Sequence, residues 1–232
     1  MWPLGRIKRW FYEQQIRQLH HHHRAQNSDA YVDIDLILSH FRSAGGLKHD
    51  FQAYKLFQLG QLLERGTPTS MLELVSGSST AVFAAYIRKY GGRLCSVDES
   101  ASWLANAMRL SDINEDDNRF EMLHCLAKVG TFKNLTCVGY GLTAKEEFDL
   151  VFVDGPSILV DGVKRKDGIN DDVFRIADAC PPRMIVVDGR YATVRALEQH
   201  LQGRYELELS ALAGGKPGEN YNYFSIFRRN ID

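Results

Sequence analysis

Four small hydroxyl-bearing residues and a glycine, Ser76-Gly77-Ser78-Ser79-Thr80, follow a short apolar run (71–75) that carries one acid, Glu73. Residues this small let a backbone approach a ligand closely. A helix starting here would offer N–H groups without intrahelical partners, suited to a carboxylate or phosphate. Twenty-one residues beyond Gly77 stands Asp98, followed by Glu99, at the end of a second apolar run. A carboxylate so placed can accept hydrogen bonds from two ribose hydroxyls. The turn lacks the three glycines of G-x-G-x-x-G, so it suits a ligand with a single carboxylate better than a dinucleotide's pyrophosphate. Asp154 precedes Gly155-Pro156, a turn that leaves its carboxylate at a strand's mouth, where it can take a proton or position a substrate. Each residue also has an ordinary structural use. Ser79 can cap a helix, Asp98 can do the same, Glu73 can be satisfied by nearby backbone, and Asp154 can bond its own turn.

These residues need a scaffold that brings strand ends together, and the pattern supplies one. Apolar runs at 71–75, 93–97, 120–124, 148–153 and 184–187 read as strands, and 80–90, 100–110, 171–179 and 193–201 read as helices between them. Arg88 and Lys89 before Gly91-Gly92 give the expected end of a helix. The run 148–153 is apolar almost throughout, as a central parallel strand should be. Two last strands, 205–211 and 221–228, have only a glycine-rich loop between them and must pair antiparallel. The expectation is an α/β fold: a doubly wound, mostly parallel seven-stranded sheet with N-terminal helices and a C-terminal antiparallel hairpin. In such sheets ligands bind beyond the carboxyl ends of the strands, which is where the residues above fall.

On these motifs the chain resembles the class I S-adenosylmethionine-dependent methyltransferases, over roughly residues 50–228. Glu73, Gly77 and Ser79 fall on the family's first motif, and Asp98 on its ribose-binding acid. The stretch 148–156 is similar to the segment after the fourth strand in small-molecule O-methyltransferases, where the aspartate faces the methyl group. The resemblance implies a fold with S-adenosylmethionine as cofactor and S-adenosylhomocysteine as product. It implies that Glu73, Ser76, Gly77, Ser78, Ser79, Thr80, Asp98 and Glu99 form the cofactor site, that His124, Cys125 and Leu126 border the adenine, and that Asp154 is catalytic. Val75 departs from the pattern, standing where the family has its first glycine. Some catechol-type relatives hold Mg²⁺ through acids at the positions of Asp154 and Asp188 plus an asparagine. Here Gly189 follows Asp188, and no metal site is assigned. Lys48, His49, Tyr140 and the 164–166 basic cluster lie in segments that could approach an acceptor, with a solvated face as the plain reading.

The whole chain fits this reading. Its 232 residues suffice for one large domain without disulfides or metal. A net charge of −1 argues against a dedicated nucleic-acid binder. No apolar run spans a membrane and the N-terminus has no signal-peptide core, so the expected location is the cytoplasm. Four cysteines never occur as C-x-x-C, which excludes a zinc ribbon and a thioredoxin-type motif. Residues 1–45 form a separate expectation: a basic amphipathic helical segment with apolar positions Leu4, Ile7 and Phe11 on one face, continued by Tyr12, Ile16 and Leu19. It can pack on its own domain or a second subunit, cover a substrate pocket, or touch an anionic membrane. The tract 20–23 of four histidines reads as a solvated helix end. Residues 46–232 are the cofactor-binding domain. The expected activity is methyl transfer to a small-molecule acceptor, at oxygen; the alternatives are a non-catalytic cofactor-binding or scaffold protein and an NAD-dependent enzyme.

Overall fold

The computed structural model describes residues 4–46, 51–143, 147–156, 159–160, 163–164, 168–215 and 222–230. Three helices lead the chain: α1 (Leu4–Gln26), α2 (Val32–Ser43) and α3 (Gln52–Gly66). Then strand and helix alternate: β1 (Ser70–Leu74), α4 (Ser78–Tyr90), β2 (Arg93–Asp98), α5 (Ala101–Leu110) and β3 (Phe120–His124). A hairpin follows, β4 (Lys128–Phe132) and β5 (Leu135–Gly139), before the central strand β6 (Leu150–Val153). Short pairings β7 (Leu159–Val160), β8 (Val163–Lys164) and β9 (Ile169–Asn170) lead to α6 (Asp172–Ala179), β10 (Met184–Val187) and α7 (Tyr191–His200). β11 (Tyr205–Glu208) and β12 (Ser225–Arg229) close the chain.

The main sheet has the order β11-β12-β10-β6-β1-β2-β3, parallel except at β12, which is antiparallel to both its neighbours. This is the doubly wound seven-stranded sheet that the alternation predicts. Strand order reverses at β1, which pairs with β2 on one side and β6 on the other. Successive side chains of these strands point to opposite faces. Met71, Leu150, Phe152, Val186 and Ile226 pack with α3 and α4, while Leu72, Val151, Ile185 and Phe227 pack with α6 and α7. Ser100 caps α5, its hydroxyl accepting the Trp103 N–H at 3.2 Å. Gly92, at φ +103°, ends the turn after α4 where a Cβ would lie 2.7 Å from the Thr69 carbonyl oxygen.

The link from β3 to β6 contains no helix among its described residues. The β4–β5 hairpin covers that face instead, packing Phe132 against Phe174 with ring centroids 5.0 Å apart.

The N-terminal stripe is borne out at Ile16 and not at Phe11, while the side chains of Leu4, Ile7 and Tyr12 fall outside the described residues. Phe11 is exposed, and the buried side of α1 carries Ile16, which joins the main core, and His20. The histidine tract is therefore not a solvated end throughout. His20 is buried near Tyr31 and Tyr54, and His23 packs against Phe57 at 4.4 Å between ring centroids, while His21 and His22 are exposed. A row of residues at i, i+4 spacing selects which histidines face inward, and an imidazole next to two tyrosines is an adequate apolar filler. No described helix is long and apolar enough to cross a membrane.

Candidate active site

Glu73 underpins the turn after β1. Its carboxylate is fully buried and accepts from Ser79 Oγ at 2.6 Å, from Thr80 Oγ1 at 2.7 Å and from Ser96 Oγ at 2.7 Å. Burial pushes its pKa up to about 7, against the pull of those three hydroxyls. Thr80 Oγ1 in turn accepts the Gly77 N–H at 2.8 Å, which fixes the first turn of α4. Glu73 is thus the support of the turn, and it does not line the cavity above it. Above Gly77 there is open space: a Cβ built there would meet nothing within 4 Å.

Val75 enters this turn at φ +86°, in the left-handed region that suits glycine. The backbone there has a conformation that glycine adopts most readily, with a β-branched side chain on it. The side chain is accommodated by Gly155 on the neighbouring strand end, where a Cβ would come within 1.6 Å of Val75 Cγ2.

Asp98, at the end of β2, is turned inward and is 2% exposed. Its carboxylate accepts from the Ser76 N–H at 3.1 Å, from Ser76 Oγ at 2.9 Å and from the Ser100 N–H at 2.8 Å. Burial raises its pKa. Glu99 accepts from the Tyr140 hydroxyl at 2.6 Å. His124 hydrogen-bonds through its ring to the Glu99 carbonyl oxygen at 3.2 Å, Cys125 lines a second cavity with Tyr140, and Leu126 is exposed.

The opposite wall holds Asp154 after β6 and Asp188 after β10. Between them sits the ammonium of Lys55 from α3, 3.0 Å from Asp154 Oδ2 and also bonded to Asp188. Lys55 and Asp188 are buried, with 7% and 9% of their side chains exposed, while Asp154 keeps 35%. Burial alone would lower a lysine's pKa, but Asp154 and Asp188 outweigh it and hold the ammonium above its ordinary value. Burial pushes the Asp188 carboxyl up, opposed by Lys55. The Asp154 loop is pinned by its neighbours. Arg190 donates to the Asp154 carbonyl oxygen at 2.6 Å, and Asn170 donates to that of Gly155 at 2.9 Å.

A cavity of about 520 Å³ joins these two walls. Of the residues predicted from the sequence, Ser76, Gly77, Ser78, Ser79 and Asp154 line it together, joined by Asp188, to which the sequence assigned no role. Asp98 stands behind Ser76, Thr80 and Glu73 lie beneath the turn, and Glu99, Cys125 and Leu126 lie apart from this cavity. Lys48 and His49, together with Arg165 and Lys166, fall outside the described residues.

The sequence reading missed Lys55, Gln52 and Trp103. Gln52 donates to Ser78 Oγ at 3.0 Å, and the Trp103 indole donates to the Ser76 carbonyl oxygen at 3.0 Å. The available signal for Lys55 was a charge on the stripe that continues through Leu59 and Leu62, the face α3 buries.

No protein-family model and no curated protein matches the sequence. Solved structures do match in shape. A presumed O-methyltransferase from Klebsiella pneumoniae aligns with a TM-score of 0.57 at 17% identity, over 94% of this chain and 99% of that one. An O-methyltransferase from Bacillus cereus in complex with SAH gives 0.53 at 16% identity, over 88% and 94%. An SAH-bound methyltransferase from Podospora anserina gives 0.52 at 16%, over 90% and 96%. At such identities the likeness is one of architecture: the chain has the Rossmann-like fold of the class I methyltransferases.

Proposed function

We propose that this chain is an S-adenosylmethionine-dependent methyltransferase that methylates a small-molecule acceptor at oxygen. The observation that carries the reading is the cavity at the switch point of the sheet, which has the Ser76–Ser79 turn on one wall and the Asp154 carboxylate on the other. The open space over Gly77 fits a ligand lying directly on the backbone. In this reading the first N–H groups of α4 bind the cofactor's carboxylate. Asp98 takes the ribose, its hydroxyls displacing the Ser76 hydroxyl from a carboxylate that already faces the turn, with Glu99 beside it. Cys125 and the exposed Leu126 offer apolar surface for the adenine. Glu73 and Thr80 act from beneath by holding the turn rigid.

When bound, the cofactor supplies a methyl group already activated on a sulfonium. The protein's own task is then alignment and proton removal. Asp154 is the partly exposed acid on the acceptor side, and its loop is pinned on two sides, so it is positioned to take the acceptor's proton. Two features favour a binding protein without turnover: Val75, whose side chain occupies room a glycine would leave, and Gly189 in place of an asparagine after Asp188.

Thermal unfolding with the product S-adenosylhomocysteine tests the reading. At about 100 times its Kd it adds about 2.7 kcal/mol of stability. For a chain of this size that is a rise in Tm of roughly 5–11 °C. NAD⁺ should leave Tm unchanged, and methyl release in a turnover assay separates enzyme from scaffold. Absence of any shift with the nucleoside product overturns the proposal.

A further inference from the structure

We propose that Lys55 is the built-in cation of this site: its ammonium takes the place between Asp154 and Asp188 that a divalent ion would need, so that transfer here runs without a bound metal. The inference rests on the methyltransferase reading for what the site does, and on the geometry alone for which cation it holds.

A metal between these carboxylates does not fit the residues present. Mg²⁺ would have to approach carboxylate oxygens to about 2.1 Å with octahedral geometry. Here Asp154 Oδ2 and Asp188 Oδ2 both point at Lys55 Nζ. A metal would displace the ammonium and leave it buried and unpaired beside a dication. The Lys55 side chain is 7% exposed and the Phe152 ring centroid lies 5.9 Å from Nζ, so a displaced ammonium would lose both carboxylates where little water reaches it. The formal charges already balance, with Arg190 drawn to the same loop and acting on Asp188 as a second positive group. No third oxygen ligand is offered by Gly189, which follows Asp188, and the described residues contain no cluster of three acidic, histidine or cysteine ligands.

A fixed ammonium also has something to offer the reaction. It carries three N–H donors, of which two go to the carboxylates. Lys55 lines the cavity, and in this proposal the third is given to the acceptor's oxygen. As the new O–CH₃ bond forms from an oxygen lone pair, the C–S bonding pair stays on sulfur and the hydroxyl proton passes to Asp154. Lys55 orients that oxygen throughout and stays protonated.

The experiment is Mn²⁺ binding to the full chain, followed by electron paramagnetic resonance with and without S-adenosylhomocysteine. Wild type should show no site up to millimolar Mn²⁺. Lys55→Ala, which uncovers two carboxylates, should gain a site that binds at least about tenfold tighter than wild type. Adding Asp188→Ala should abolish it. A wild-type chain that binds one Mn²⁺ and loses it with Asp188→Ala overturns the proposal, as does a folded Lys55→Ala that gains no site. Should Lys55→Ala fail to fold, Lys55→Met keeps the side-chain bulk and is read by the same two outcomes. The nucleoside product's thermal shift, read on the same samples, reports separately on the methyltransferase reading. Its absence alongside a site that Lys55→Ala uncovers would sink that reading and spare the cation assignment.

Discussion

Gly155→Ala, made alone and together with Val75→Gly, tests whether the turn after β1 and the loop after β6 are fitted to one another. A Cβ at position 155 would stand 1.6 Å from Val75 Cγ2 and 2.6 Å from Val75 Cβ. Rotating the valine could relieve the first clash but not the second, so the backbone must part by an ångström or more. Overpacking of this kind costs about 1–3 kcal/mol, and this case belongs at the upper end. With Val75→Gly in place, the nearest remaining atom is the Leu74 carbonyl oxygen at 3.2 Å, which asks for a shift of only a few tenths of an ångström. The same alanine should then cost less than about 1 kcal/mol, giving a coupling of about 2 kcal/mol between the two sites. Val75→Gly alone should be nearly neutral. It releases roughly 1–2 kcal/mol of left-handed strain at φ +86°. It gives back a comparable amount through glycine's extra unfolded-state entropy and the lost apolar contact. Urea unfolding of the four proteins, with equal m-values, supplies the cycle. Equal costs of Gly155→Ala in both backgrounds would refute the packing argument.

Three further outcomes follow, two from the site and one from α1. Asp98→Ala should weaken S-adenosylhomocysteine binding by at least about tenfold in calorimetry, and should lower stability by about 1–3 kcal/mol because the Ser76 and Ser100 N–H groups lose their acceptor; unchanged affinity would remove Asp98 from the ribose. Asp154→Asn should lower kcat by about 10²–10⁴ while product affinity stays within about twofold, and a fully active variant would take Asp154 out of the chemistry. His20 should make stability fall in acid. Burial, then His21 and Arg24, holds its pKa below the ordinary value, with Asp35 opposing and Tyr31 and Tyr54 packed around it. The unfolded chain therefore takes up the proton first, so stability is whole above about pH 6.5 and is lost as pH falls toward the lower folded value. His20→Phe should flatten that part of the pH profile measured by denaturant midpoint.

The sheet was legible because its central parallel strands β1, β2, β6 and β10 are almost wholly buried runs bracketed by turn chemistry, with only the edge strand β3 half exposed. Residues 71–75 before a serine-rich turn, and Arg88-Lys89 before two glycines, could hardly be read otherwise. The β4–β5 hairpin was not seen, although it has a local signal. Lys133 and Asn134 both take positive φ, the two-residue turn that asparagine favours, between Val129, Thr131, Thr136 and Val138. Its strands are half exposed, so hydrophobic periodicity carries little of that information. The turn and its acids were likewise legible as types, but their partners were not. Glu73 could be placed on the first strand, while the three hydroxyls that hold it come from two different elements. Asp98 could be placed at a strand end, yet whether its carboxylate faces outward or back to Ser76 depends on a rotamer, which spacing does not encode.

The N-terminal helices decide how this cavity can be used. The sheet contributes one wall, the turn and the two carboxylates. The facing wall is made by Glu13 of α1, Leu38 and Phe41 of α2, and Gln52 and Lys55 of α3. α1 is anchored by Ile16 in the main core, so this wall is part of the folded unit and not a loosely attached cover. In the proposed reaction, an acceptor entering beside Asp154 would therefore meet side chains that precede the first strand. Their charges are mixed, Glu13 and Arg42 both lining the cavity, and their apolar members are Leu38 and Phe41. In the proposed reaction, a substitution of Glu13, Leu38 or Phe41 should change which acceptor fits without touching the turn, Glu73 or Asp98. Acceptor preference and cofactor affinity in this protein should accordingly separate by mutation along the line where α3 crosses the strand ends. Lys55 and Gln52 are the residues that reach across it, one to the carboxylates and the other to Ser78.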